Sequence, residues 1–273
     1  MLPLTALIAE AEMPLSLAII GAGDLGMRVA GLRAALGDSV YAIRRRQVPM
    51  PDGVQSVIGD MHQIESLQRL PKNPDVMLFC ATPDERTEQS YRHTFLEGLR
   101  KATQALQPKR TFFISSTAVY AQNNGQWVDE KSAVNPVRFN GRVLREAELL
   151  CLETSGNTVL RLSGLTGPGR SMLINKALLG EAIENTWTNR IHIDDAALAI
   201  SHLMSMSDLP KAINITDDLP ALQIDVVNWI RSRQNLPELH LAQSECAGKR
   251  ISNTLLKSLA WVPKYPSYKE IYL

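Results

Sequence analysis

Leu17-Ala18-Ile19-Ile20-Gly21-Ala22-Gly23-Asp24-Leu25-Gly26 is the stretch on which the fold turns. A short apolar run, of the kind that makes a buried strand, gives way to three glycines spaced G-x-G-x-x-G and then to a helix-period pattern over residues 25–36. At ordinary glycine usage this spacing arises by chance about 0.1 times in a chain of this length, so its weight comes from sitting at a strand-to-helix junction. There each glycine has its own task. Gly21 permits the tight turn, Gly23 lets the main chain approach a pyrophosphate, and Gly26 lets helix and strand pack closely. The helix N-terminus, with Asp24 and Leu25 in its first turn, faces the anion. The pattern predicts a dinucleotide site.

Outward from this turn, apolar runs at 17–20, 40–43, 54–58, 76–79, 112–114 and 159–162 read as strands. Helical periods at 25–36, 85–106, 141–152 and 195–206 lie between or after them. Such alternation implies right-handed crossovers and an α/β, Rossmann-type doubly wound parallel sheet. Beyond residue 163 the alternation breaks at Gly164, Gly167, Pro168 and Gly169. The expected division is a dinucleotide-binding domain over 1–163, rejoined by a helix at 194–206 and a strand near 212–216, with a small C-terminal substrate lobe from 164–193 and 217–273.

Twenty-nine basic and 28 acidic side chains leave a formal charge of +1, which supplies no field for nucleic acid or an anionic membrane. A small-molecule substrate is the expected partner. Cys80, Cys151 and Cys246 form no C-x-x-C pair, which argues against a disulfide framework or a zinc site and fits a reducing cytoplasm. No apolar run reaches the roughly 18 residues of a membrane span. Residues 1–8 are apolar but lack a preceding basic segment and run into Glu10 and Glu12, unlike a secretory signal, and translation is expected to begin at either Met1 or Met13.

The residue that reads the adenosine ribose stands near the end of the second strand and is acidic where NAD is preferred. Here that position holds Arg44-Arg45-Arg46. Guanidinium groups suit a 2′-phosphate, so NADP(H) is expected ahead of NAD(H), read by Arg44 and Arg45.

Phe113-Ile114-Ser115-Ser116-Thr117-Ala118-Val119-Tyr120 resembles the extended branch of the short-chain dehydrogenase/reductase superfamily, which holds the nucleotide-sugar epimerases and dehydratases. Other landmarks agree in order. Gly59-Asp60 resembles the pair after the third strand, whose Asp reaches the adenine amine, and Cys80-Ala81-Thr82 resembles the small-residue turn after the fourth. Arg161 to Gly169 is similar to the segment ending in Y-G-P-G, and Ile191-His192-Ile193-Asp194-Asp195 to the H-V-D-D helix start, where Asp194 or Asp195 is expected to cap the helix. Asn140-Gly141-Arg142-Val143-Leu144 and Lys249-Arg250-Ile251-Ser252-Asn253 resemble the YeeZ-like subgroup, for which no well-defined reaction is implied.

The resemblance implies a catalytic Ser or Thr followed by a Tyr and a Lys. Ser116 matches the first member, and Asn140 and Leu144 stand at the other two positions, where neither can exchange a proton near neutral pH. Three alternatives follow: a relocated acid with Tyr120 as the candidate, a proton from substrate or water, or dinucleotide binding without turnover. Tyr120 equally suits a packing role at the mouth of the sheet. Thr117, Asn140 and Arg170 are the expected substrate contacts, with Asn189 a weaker one. The short 170–190 connection favours a small polar substrate over a whole sugar nucleotide. Trp187, Trp229 and Trp261 are expected to pack the small lobe. Helices 85–106 and 141–152 could pair across a dimer axis, and monomer and homodimer both stay open.

Overall fold

The computed structural model describes residues 13–241 and 246–272. The choice between Met1 and Met13 turns on residues 1–12, which lie outside the described residues. Seven strands form one parallel sheet: β1 (Ser16–Ile20), β2 (Ser39–Arg44), β3 (Val54–Ile58), β4 (Val76–Phe79), β5 (Arg110–Ser116), β6 (Thr158–Leu162) and β7 (Ala212–Ile215). Their spatial order is β7-β6-β5-β4-β1-β2-β3, so the direction of winding reverses between β1 and β4. All residues of β4 and β6 are buried, as a parallel strand covered on both faces requires.

Side chains alternate across the sheet and build two cores. Leu17, Ile19, Val40, Leu78 and Phe112 point to the face covered by α1 (Asp24–Ala35) and the helix that starts after His192. Ala18, Ile20, Met77, Phe79 and Phe113 point to the other face. That face is covered by α2, residues 88–106, and α3 (Phe139–Cys151). α2 is continuous but winds as a π-helix over His93–Gly98, with Thr87 capping its start through Ser90 N. A run of aromatic contacts, Phe79 to Phe113 to Phe95 to Tyr91 to Phe139, joins sheet, α2 and α3 at centroid separations of 5.4 to 5.9 Å.

The helix Ile193–Met204, α4, lies against α1, and β7 extends the sheet beside β6. A buried ion pair fastens this side: Arg33 Nε donates to Asp38 at 2.5 Å and Arg33 Nη1 to Ser205 Oγ at 2.7 Å, while Asp38 also accepts from Leu15 N at 2.8 Å. The cap of α4 differs from expectation. The side chain of His192 accepts from Asp194 N, Asp194 is taken by Arg28, and the Asp195 carboxylate accepts from Lys264 N and Tyr265 N at 2.9 and 2.8 Å. Asp195, only 1% exposed, anchors the tail instead of the helix start.

Outside the sheet, Ala221–Leu222, Thr186–Thr188 and Ala247–Gly248 form a three-stranded sheet with the helices Met172–Leu179 and Gln223–Ser232 packed near it. Trp187 belongs to this region, and Trp229 packs edge-on against Tyr268. Trp261, expected there as well, instead packs into the sheet core beside α4, because the Asp195 anchor brings the tail across that face. Among the described residues no helix is long and apolar enough to cross a membrane.

Asp217, just after β7, donates its N–H to Arg190 O at 2.8 Å, yet neither carboxylate oxygen has a hydrogen-bond partner and Arg190 Nη1 stands 4.0 Å away. Burial pushes this carboxyl up to about 8. Its value in the fold exceeds that of the unfolded chain, so ionisation opposes folding: the contribution is intact below about pH 4 and lost as pH rises towards 8. Urea melts should show stability falling less between pH 5 and pH 8 in Asp217→Asn than in the parent protein. Identical pH dependence in the two would refute this assignment.

Candidate functional site

The carboxyl ends of β1 and β4 diverge into loops where the winding reverses, the place where open α/β sheets bind ligands. The two loops touch. Gly21 has φ +86°, and a Cβ built on it would stand 2.4 Å from Ala81 Cα, so both conformation and space demand glycine there. At Gly26 a Cβ would meet Cys80 Sγ at 2.9 Å and Ile19 Cγ2 at 3.3 Å, which sets how closely α1 lies on β1. The Cys80 thiol donates to Gly21 O at 3.1 Å, and burial pushes it up to about 12, which favours the neutral thiol.

Gly23 differs from both. Its φ of −76° and ψ of −162° are extended, and apart from its chain neighbours no atom of the described residues lies within 4 Å of the Cβ it lacks. It is the N-cap of α1 and has no side chain to satisfy the amides of the first turn, which point outward with the positive end of the helix dipole. No packing contact requires a bare main chain here, and the open space leaves those amides accessible to an anion.

Around this point lies a cleft of about 470 Å³. Its walls include Gly21, Ala22 and Gly23, the arginines Arg44 to Arg46, Gly59 and Asp60, and Cys80, Ala81 and Thr82. Asp24, Leu25 and Gly26 do not line it: Gly26 is spent on packing, Leu25 is 9% exposed in the core, and Asp24 turns to a different partner. Arg44 Nε is buried with no hydrogen-bond partner, Arg46 is exposed, and Arg45 is gripped through both Nη atoms by Asp84 from the loop after β4. Asp60 Oδ1 accepts from His62 N at 2.8 Å, and Ser66 Oγ lies 3.1 Å from Asp60 N, which holds the loop after β3 in place. The cleft also takes in Met61, His62 and, from α2, Ser90, His93 and Thr94. These carry no motif of their own; the 3.6-residue spacing of Ser90 and His93–Thr94 puts them on one face of a helix, but only the tertiary packing aims that face at the cleft.

Asp24, in the first turn of α1, accepts from Arg170 Nη1 at 2.7 Å and Arg28 Nε at 2.9 Å, and Arg28 reaches on to Asp194. Burial would raise the Asp24 carboxyl, but these two guanidinium groups outweigh it and hold it below the usual carboxylate range. Arg170, expected as a substrate contact, therefore clamps the Gly167-Pro168-Gly169 turn onto the glycine helix. Asn189 is likewise committed: its Nδ2 donates to Lys249 O at 2.8 Å and its Oδ1 accepts from Ile251 N at 2.7 Å.

At the end of β5, Ser116 is half-buried and its Oγ accepts from Ala118 N at 3.2 Å, capping the turn Thr117–Val119. A Cβ on Gly141 would stand 2.5 Å from Ala118 O, so the missing side chain lets the first turn of α3, with Asn140, close on this turn. Ser116, Thr117 and Asn140 thus come together. Leu144, one helical turn further, is 5% exposed in the core.

Tyr120 is a correction to the expected relocated acid. It is 2% exposed, its hydroxyl donates to Asn214 Oδ1 at 2.9 Å and accepts from Arg161 Nη1 at 2.8 Å, and burial raises its pKa. Arg161 in turn grips Glu148 through Nε at 2.9 Å and Nη2 at 2.7 Å, and Ser115 Oγ donates to the same carboxylate at 2.8 Å. The buried Arg161–Glu148 pair claims the phenol as part of its own hydrogen-bond shell, as a buried pair must.

No family model matches the chain. Over 208 residues it is 31% identical to Protein YeeZ of Escherichia coli (strain K12), spanning 68% of this chain and 72% of that one. A solved structure of a candidate NAD-dependent epimerase/dehydratase from Methylobacillus flagellatus superposes with a TM-score of 0.83 at 33% identity, covering 95% and 97% of the two chains. The Bordetella bronchiseptica enzyme WbmG, solved with NAD and UDP, superposes with a TM-score of 0.77 at 15% identity over 97% and 94% of the chains, a likeness of fold.

Tyr120→Phe should lower stability by about 1–3 kcal/mol, since it strands Asn214 Oδ1 and Arg161 Nη1 in the interior. A denaturant midpoint equal to that of the parent protein would contradict this structural role.

Proposed function

The chain belongs to the YeeZ-like group of NAD-dependent epimerase/dehydratase-like, extended short-chain dehydrogenases/reductases, and from that premise we propose that it binds NADP(H) in the cleft and acts as an oxidoreductase or epimerase on a small polar carbonyl or sugar-like compound. The observation that carries the cofactor reading is Gly23. Its bare Cα, with open space where a Cβ would be, leaves the first-turn amides of α1 accessible, which supports a diphosphate lying there. The diphosphate would lie on the Gly21 to Gly26 turn, the adenosine towards Asp60, and a 2′-phosphate against Arg44, whose Nε has no other partner. Arg45 would exchange Asp84 for that phosphate.

The nicotinamide, when bound, supplies the hydride acceptor or donor at its C4. Ser116 would hydrogen-bond the oxygen on the reacting carbon, with Thr117 and Asn140 positioning the substrate. Arg170 contributes by holding the Gly167-Pro168-Gly169 turn against the start of α1. With Tyr120 committed to Arg161 and Leu144 in the core, the proton comes from the substrate or water. Those same two facts favour a second reading, a cytoplasmic NADP(H)-sensing protein without turnover.

Calorimetry should give NADPH about tenfold tighter than NADH, a difference of about 1.4 kcal/mol. Gly23→Val should keep the melting temperature close to that of the parent protein and weaken NADPH binding by more than about tenfold. Absence of heat with all four pyridine nucleotides would end the cofactor reading. With a panel of aldehydes, ketones and sugar carbonyls, NADPH turnover lost in Ser116→Ala identifies the enzyme, and tight binding without turnover of any panel member identifies the sensor.

A further inference from the structure

Two imidazoles form part of the cleft wall. His62, in the loop after β3, and His93, on α2, stack with ring centroids 3.7 Å apart and planes 16° from parallel, and both face the cleft that holds Arg44 to Arg46. The contact is built in from two sides. Gly98 leaves room for the loop: a Cβ there would stand 3.2 Å from Met61 Sδ and 3.4 Å from His62 Cε1. Lys101 Nζ donates to His62 O at 3.1 Å and pins the same loop to α2. The stack sits where the helix changes to π winding, at the first residue of the His93–Gly98 segment. Such turns often mark functional positions.

The pair has charged groups on both sides. His93 Nδ1 lies 2.9 Å from Glu97 Oε2, and His62 Nδ1 is buried without a hydrogen-bond partner. Burial, with the adjoining His93 ring and Lys101, disfavours a proton on His62, while Asp60 and Glu97 favour one. Asp84, from the loop after β4, adds negative charge that Arg45 offsets. Two imidazolium rings stacked this closely would repel, so the geometry disfavours a second positive charge on the stack. An anion entering the cleft supplies the missing stabilisation, since nearby negative charge favours the charged imidazole.

Resting on the reading of this cleft as a dinucleotide site, we propose that the His62–His93 stack is a recognition element for the adenosine half of the cofactor and that cofactor binding draws a proton onto the pair. The role is one of specificity for a polyanionic nucleotide, distinct from the arginines, because an imidazole, unlike a guanidinium, can gain its charge as the ligand binds.

Titration calorimetry with NADH at pH 6.5, in two buffers of different ionisation heat, counts the protons taken up. NADH is the probe because it lacks the 2′-phosphate, which itself titrates near pH 6. The parent protein should take up about half a proton or more per NADH, and its affinity should be about two- to tenfold higher at pH 6 than at pH 8. Both effects should shrink sharply in His93→Gln and in His62→Gln. Should a Gln variant melt too early for use, the imidazole Cε1–H resonances of the parent protein, followed with and without NADH across pH 5 to 8, must show the pair's titration moving upward on binding. NADH binding without proton uptake, uptake unchanged in both variants, or resonances that titrate identically in the two states would overturn the proposal and leave the cofactor site standing. Failure of both NADH and NADPH to bind at any pH would remove the cofactor site and the proposal together.

Discussion

Everything at the site depends on how closely two loops approach at the reversal of the sheet. A parallel sheet buried on both faces cannot shift its strands without exposing one core or the other, so the ends of β1 and β4 are fixed relative to each other. Their loops then meet at Gly21 and Ala81 with no room for even a methyl group. That contact aims the start of α1 into the cleft and leaves its first amides uncovered. The tight packing at Gly21 and Gly26 is what allows Gly23 to be open.

The same helix start also fastens the remainder of the chain. Asp24 is well placed beside the positive end of α1, and its charge is spent on Arg170 and Arg28, the latter tied to Asp194 at the start of α4. The turn at Gly167 to Gly169 is therefore held against α1 by ion pairs that remain partly exposed. Partly exposed pairs contribute little to stability, and they can exchange partners at small cost. The arrangement suits a region that must admit and release a ligand.

Deeper in the sheet the polar logic runs the other way. Glu148 and Arg161 are 0% and 3% exposed and cannot be left with unmet valences, so they recruit Ser115, Tyr120 and, through Tyr120, Asn214. A phenol held in that network has no free path to a substrate oxygen. Asn140 stands in the first turn of α3 and Leu144 in the core, while Ser116, at the end of β5, is half-buried and caps the turn that follows it.

Much of this was legible in the residues themselves. Short continuous apolar runs and period-3.6 patterns locate most of the strands and helices of the sheet, because a strand covered on both faces has to be apolar along its length. The glycine spacing marks the turn, because only glycine tolerates a contact like that of Gly21. What the order of residues could not convey is direction. Tyr120, Arg170, Asn189 and Trp261 have the right chemistry for the roles first expected of them, yet each is turned elsewhere by a partner distant in sequence: Arg161, Asp24, Lys249 and the tail held by Asp195. His62 and His93 lie 31 positions apart and stack only because Gly98 lets a loop settle on a helix. Local pattern determined which backbone forms and where a turn must stay bare. Long-range packing decided which polar side chains remain free, since a buried charge takes whatever hydrogen-bond partner the folded chain brings within reach.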